Sequence, residues 1–332
     1  MRVATFNVEL QRDGPGLLLR DIASGEDPQV AAAVSIIAQA RPDILALQSF
    51  DYDLTGAALR AFQAALAAAG AGYPHSFTAA PNSGMATDLD MDGDGRTGGP
   101  GDAQGYGAFS GQGGMAILSR FPILEGEVQD FSDLIWRDLP DALLPAADGA
   151  PFPSPQAQAV QRLSTTGHWT VPVEVPGIGR VTLLTFHASP PVFDGPEDRN
   201  GRRNHDENIF WLHYLDGDFG PAPAGNFILL GDANLDPVDG DGRKEAIHRL
   251  LADPRLQDPA PISAGAAALG DATDTVDWTD PVPGNLRVDY VLPSADWRIK
   301  ASGVLWPAPG EAGFDTAVSA SRHRLVWVDL AP

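Results

Sequence analysis

A carboxylate and a carboxamide stand two residues apart where an apolar run breaks. Phe227, Ile228, Leu229 and Leu230 lead into Gly231, Asp232, Ala233 and Asn234. The run is short, apolar at every position and preceded by Pro/Gly/Ala-rich sequence, the pattern of a strand buried on both faces. Gly231 lets the backbone turn or approach another group closely. If the chain stays extended, a period of two puts Asp232 and Asn234 on one side. Such a pair suits holding a hard cation through oxygen, or orienting a water or a phosphoryl oxygen. An Asx turn closing the strand fits the same residues.

Four other polar residues occupy similar places. Asn7 ends the strand-like Val3 to Phe6, and His187 follows Arg180 to Phe186 beside a loop stiffened by Pro190 and Pro191. Asp289 interrupts the alternating run Leu286 to Leu292, and His323 introduces the closing run Arg324 to Leu330. An aspartate within a strand is either paired or functional, because burying a lone charge is costly.

Two loops carry further candidates. Asp88, Asp90, Asp92 and Asp94 alternate through a glycine-rich stretch, like the first half of a calcium-binding loop but without its closing glutamate. A structural calcium site and a solvated turn both fit. The segment from Asp194 to Arg203 crowds Arg199, Arg202 and Arg203 among acids. Arg202 and Arg203 could offer guanidinium forks to phosphate, or the loop could be internally ion-paired.

The elements that must position these residues alternate in type. Helical spacing over Pro28 to Arg41, with Pro28 in its first turn and Pro42 beyond it, precedes an apolar strand at Ile44 to Leu47. A second helix runs from about Gly56 to Ala69, and this order argues for a layered α/β domain. Further on come a strand at Gly114 to Arg120, a hairpin of Thr170 to Val175 with Arg180 to Phe186, and helices at Asn204 to Leu215 and Arg243 to Leu251. Two stretches lack periodicity: the Asp/Gly-rich residues around 80–111 and the Pro-rich residues around 131–166. With no linker or repeat in sight, the expectation is one domain, 1–332, carrying these two insertions.

Composition narrows the partners. A formal net charge of -22 and a pI near 4.4 disfavour long nucleic acid and anionic membrane surfaces. The absence of cysteine removes disulfides, thiolate catalysis and zinc–thiolate sites. No leader and no run long enough to span a bilayer stands in the chain, so a soluble protein without a signal peptide is expected, its compartment unassigned.

Taken together, the opening ATFNVE, the GDAN after an apolar strand, RVDYVLPS and the closing HRLVWVDL resemble, in order and end to end, the endonuclease/exonuclease/phosphatase superfamily. The resemblance implies a four-layer α/β/β/α sandwich of two mixed β-sheets packed face to face and flanked by helices. It also implies hydrolysis of a phosphodiester or phosphomonoester by in-line attack of water, with Mg or Mn at the cleft. Carried over, Asp232 would orient or deprotonate the water and Asn234 would hold a phosphoryl oxygen. Asn7 would bind phosphate or support the metal, and Asp289 would buttress a histidine. His187 and His323 would flank the phosphate, suited to proton transfer by an ordinary pKa near neutrality. The FDGPEDRNGRRNHDE loop resembles a bacterial, often secreted branch, so a secreted or periplasmic location comes with the resemblance. A small phosphorylated substrate and a monomeric state are the corresponding expectations.

Two family acids are missing. Ser49 stands where the family has its principal metal-binding glutamate, and Arg322 replaces the aspartate of a closing SDH motif. Asp51, on the same face as Ser49 if the strand continues, is a candidate replacement metal ligand. Arg322, whose charge could stand where a cation usually sits, is expected to contact phosphate or to pair with Asp51 or Asp232, with a solvent-facing side chain as the alternative. The alternative is a catalytically weak relative that binds a phosphorylated ligand or a protein through the same cleft.

Overall fold

The computed structural model describes residues 1–332. In chain order its strands are β1 (Arg2–Leu10), β2 (Ile44–Phe50), β3 (His75–Phe77), β4 (Gly114–Ser119), β5 (Gln129–Asp130), β6 (Ala146–Ala147), β7 (Ala150–Pro151), β8 (His168–Val175), β9 (Gly179–His187), β10 (Phe227–Asp232), β11 (Val276–Asp277), β12 (Asn285–Leu286), β13 (Asp289–Pro293), β14 (Arg298–Val304) and β15 (Val326–Ala331). The helices are α1 (Leu17–Ser24), α2 (Pro28–Ala40), α3 (Ala57–Ala68), α4 (Pro155–Val160), α5 (Arg199–Asp216), α6 (Glu245–Ala252), α7 (Ala264–Leu269) and α8 (Phe314–Ala320).

Two mixed sheets, ordered β14-β15-β1-β2-β4-β3 and β13-β10-β9-β8-β5, pack face to face. Three apolar clusters mark the three interfaces of a four-layer α/β/β/α sandwich. Ala4, Phe6, Leu45 and Leu47 meet α1, α2, α3 and α8 on one outer face. Leu184, Phe186 and Leu229 meet α5 and α6 on the other. Val3, Ile44, Leu183, Ile228 and Val291 fill the space between the sheets.

The period-2 alternation of strands explains how this core becomes a site. Along the inward face, β1 presents Val3, Thr5 and Asn7; β2 presents Ile44, Ala46 and Gln48; β9 presents Leu183, Thr185 and His187; β10 presents Ile228, Leu230 and Asp232. Each strand is apolar at one end and polar at the other, so the polar ends gather at one edge of the sandwich. Thr5 and Thr185 are fully buried one step below that edge, and Gln48, in register with Asn7, is buried with them, Thr5 Oγ1 donating to Gln48 Oε1 at 3.0 Å.

Local chemistry sets the element ends. Asp27 caps α2 by accepting from Val30 N at 2.8 Å, and Pro28 sits in its first turn. A Cβ on Gly231 would lie 2.1 Å from Phe186 O, so only glycine allows β10 to approach β9 there. The alternating run Leu286 to Leu292 is two strands, β12 and β13, and not one. Arg287 and Val288 between them turn to serve neighbours, Arg287 N donating to Asp236 Oδ2.

Candidate active site

Register places the central side chains before any hydrogen bond is considered. His187, Asp232 and Asp289 are direct neighbours across β9, β10 and β13. From the opposite sheet Asn7 Nδ2 donates to Asp232 Oδ2 at 2.8 Å. His187 Nε2 lies 3.5 Å from the same oxygen, and His187 Nδ1 has no protein partner. His323 Nδ1 pairs with Asp289 Oδ2 at 2.9 Å, and its Nε2 faces Asn7 Nδ2 at 3.4 Å. Thr275 Oγ1 also donates to Asp289 Oδ2, while Asp289 Oδ1 has no protein partner. The structure therefore brings Asn7, His187, Asp232, Asp289 and His323 together.

These surroundings drive the two histidines apart. Burial, reinforced by repulsion from His323, lowers the His187 pKa to about 3, so its imidazole is neutral. Burial also disfavours the cation at His323, but the charges of Asp289 and Asp232 outweigh it and raise the pKa to about 9. Burial, then the Asp289 charge, pushes Asp232 up to about 7. The expectation of two imidazoles near neutrality gives way to one neutral ring and one imidazolium, the kind of separation that divides acid from base roles.

Asn234 joins the site by a different route from the alternation expected of a strand. β10 ends at Asp232, and Asn234 has a left-handed backbone with φ 47°. Asp232 Oδ1 accepts from Asn234 N at 2.8 Å, the Asx turn, while Asp232 Oδ2 serves Asn7. The Asn234 amide donates to Ala188 O at 2.8 Å, tying the segment after β10 to the one after β9.

The expected cationic and metal-ligand residues are engaged elsewhere. Arg322 faces neither Asp51 nor Asp232; its Nε donates to Glu9 Oε1 at 2.8 Å and its Nη2 to the same oxygen. Arg203 is buried, and its guanidinium donates to the carbonyls of Leu163, Gln104, Arg162 and Ser164. Arg202 donates to Glu197 O at 3.2 Å. Neither Arg322 nor Arg203 presents the free fork expected of a phosphate contact, whereas Arg202 commits only its Nε. The carboxylate of Asp51 accepts from Arg12 N and Gly113 N at 2.9 Å each, and burial raises its pKa to about 6. Ser49 has φ 53°, so the strand does not continue regularly to carry Asp51 onto its face.

Asp232, Asp289 and His323 do offer ligand atoms within 4.8 Å of one another, a group that could hold a metal ion. A second such group is Asp90, Asp92 and Asp102. The expected run of four therefore contributes two residues. Asp94 turns back on Arg96 N, Asp88 lies outside the group, and Asp102 enters from later in the chain.

Sequence reasoning missed the floor of the site. The first half of α5 is polar yet buried, because each side chain holds a loop. Glu207, fully buried, accepts from Thr165 N, Ser189 N and Ser189 Oγ. Asn204 donates to Ser189 O and Ala233 O at 2.8 Å each. The signal was present as a long polar run, RRNHDEN, leading straight into IFWL. Beside His187 opens a cavity of about 690 Å³ whose lining includes Gln11, Tyr106, Thr165, Ser189 and Phe193.

A sequence-family model described as the Endonuclease/Exonuclease/phosphatase family matches residues 4–323. The chain belongs to this family. A family protein of known structure from Beutenbergia cavernae is similar at 22% identity, covering 99% of this chain and 71% of its own, with a TM-score of 0.57. Sphingomyelinase C from Streptomyces griseocarneus shares 22% identity, with 99% and 98% covered and a TM-score of 0.52. Mannosyl-6-phosphatase from Bacteroides thetaiotaomicron shares 16%, with both chains covered fully and a TM-score of 0.54. No curated protein matches. At these identities the solved structures establish the fold. No helix of this family member is long and apolar enough to cross a membrane.

Proposed function

We propose that this family member is a hydrolase that cleaves a small phosphodiester or phosphomonoester by in-line attack of water in the cleft between Asn7, His187, Asp232 and His323. The observation that carries this reading is the split pair of imidazoles on either side of Asp232 and Asn7. Asp232 accepts a proton from the attacking water, and the neutral His187 3.5 Å from it helps orient that water. His323, held as a cation by Asp289, supplies positive charge to the phosphorane-like oxygens and a proton to the departing oxygen. Asn7 fixes the Asp232 carboxylate, and Asn234 contributes an amide hydrogen to a phosphoryl oxygen. A divalent cation, Mg or Mn, held by the Asp232 and Asp289 carboxylates beside the protonated His323 would add Lewis-acid stabilisation of the same charge. A structural Ca in the insertion, at Asp90, Asp92 and Asp102, belongs to the same proposal.

The acidic surface favours a small ester over long nucleic acid. The fold neighbours named mannosyl-6-phosphatase and sphingomyelinase C support a small or lipid-borne phosphoester as the class to test. A panel of bis-(p-nitrophenyl) phosphate, p-nitrophenyl phosphate, plasmid DNA and a phosphoinositide, each with Mg, Mn, Ca or chelator, decides it. Turnover of a small ester is expected. No turnover of any substrate with any cation would leave the binding-only relative.

A further inference from the structure

Glu9 and Arg322 form an arrangement at the rim of the cleft that neither the apolar core nor ordinary surface pairing accounts for. Glu9 follows Asn7 by two residues, at the irregularity where the β1 and β2 register shifts between Asn7 and Leu10. Its backbone is left-handed, φ 47°, an unfavourable conformation for glutamate. Its carboxylate collects donors from a single segment. Arg322 N lies 2.7 Å and Ser321 Oγ 3.0 Å from Oε2, and Arg322 Nε and Nη2 both reach Oε1. Ser321 Oγ also lies 2.8 Å from Asn7 O and accepts from His323 N at 3.0 Å. One carboxylate thus fixes the three-residue segment that ends in His323 against the strand that carries Asn7.

Stability alone does not explain the pair. The Arg322 side chain is 63% exposed, and a pairing so open to solvent adds little to folding. Electrostatics gives a reason for it: an unpaired Glu9 carboxylate would stand beside the segment that carries His323, whose charge it feels. Burial works against the Glu9 charge, but the Arg322 hydrogen bond and the nearby His323 outweigh it and keep its pKa low.

We propose that Glu9 is a positioning residue for His323 and that Arg322 is its built-in counter-cation, the two forming a latch that sets the imidazole against Asn7. This rests on the hydrolase reading above for its kinetic consequences but not for its electrostatic ones. With the chromogenic ester that the wild type hydrolyses, Glu9→Gln should lower kcat about tenfold or more with KM within twofold and the melting temperature nearly unchanged. Arg322→Ala should act in the same direction, and Arg322→Lys should recover much of the loss. Unchanged kcat in Glu9→Gln, or a loss matched by unfolding, would overturn the positioning role. Calorimetry with Mn²⁺ tests the counter-cation without reference to turnover. Arg322→Ala frees an oxygen of Glu9 and should tighten Mn²⁺ binding about tenfold, and adding Glu9→Gln should cancel the gain. Identical Mn²⁺ binding in wild type and Arg322→Ala would overturn that part. A wild type inactive on every ester but showing the Mn²⁺ pattern would sink the hydrolase reading and leave the counter-cation standing.

Discussion

Two groups of carboxylates in this chain could each hold a cation, and they are built in opposite ways. Asp232 and Asp289 sit on adjacent strands, fully buried, and find their side-chain partners far away in sequence: Asn7, Thr275 and His323. Asp90 and Asp92 sit on a loop and accept mainly from their own backbone, at Gly93, Gly95 and Asp94, while Asp102 accepts from Met91 and Gly99. The first group is held by the fold and is free to impose unusual protonation on its members. The second largely holds itself. The first should therefore govern turnover with little effect on folding, and the second should govern local stability with little effect on chemistry.

The largest expected effect tests the first half of that contrast. His187→Ala and His323→Ala should each lower turnover on the order of a hundredfold or more, with circular dichroism and melting temperature close to wild type. Near-wild-type turnover in both folded variants would remove these residues from the chemistry.

Next comes the pH dependence. Asp232, raised to about 7, must lose its proton to act as base, and His323, raised to about 9, must keep its own. The kcat/KM profile should therefore rise as pH climbs through about 7 and fall as it passes about 9, changing about tenfold per pH unit on each outer limb. A profile centred below pH 6 would contradict this division of protonation between Asp232 and His323.

Adjacent arginines on α5 sharpen the contrast in stability. Arg203→Met removes one donor from each of four carbonyls, the only one in the case of Leu163 O, and should cost about 3 kcal/mol or more in urea denaturation, whereas Arg202→Met should fall within about 0.5 kcal/mol. Equal costs would show that Arg203 does not tie the loops around the cleft.

The smallest effect belongs to the insertion. If Asp90, Asp92 and Asp102 hold calcium, saturating Ca should raise the melting temperature over chelator by about 3 to 5 °C, and Asp90→Asn should abolish the difference. Indifference to chelator would leave these acids as turn-forming groups alone.

What could be read from the sequence follows the same division. The strands carrying Asn7, His187 and Asp232 are legible because alternation and apolar runs are local signals, although β1 runs past Asn7 to Leu10, and the register of three neighbouring strands then does the rest. A layered α/β domain is legible because helices and strands alternate along the chain, while its four layers come with the family resemblance. Partners of charged side chains are not legible, because they depend on which distant segments meet. Arg203, read as a phosphate fork or an ion-paired loop residue, and Glu207 become buried tethers only when the loops at 162–165 and 188–189 close over them. Arg322 looks like an anion-binding group and finds Glu9, a residue 313 positions earlier. Asp102 replaces Asp88 and Asp94 in the acidic group because the loop doubles back at Gly99, a turn that glycine-rich sequence does not specify.

The graded strands between the two sheets have a consequence for how this protein comes to life after synthesis. Asn7 belongs to one sheet and Asp232 to the other, and their 2.8 Å bond exists only where the sheets meet. A folding intermediate with either sheet formed alone would hold half of the machinery and lack its protonation pattern, since the shifts at His187 and Asp232 come from burial between the layers. In refolding, helical and strand signals should therefore return before hydrolysis does, and the lag between them measures the docking of one sheet upon the other.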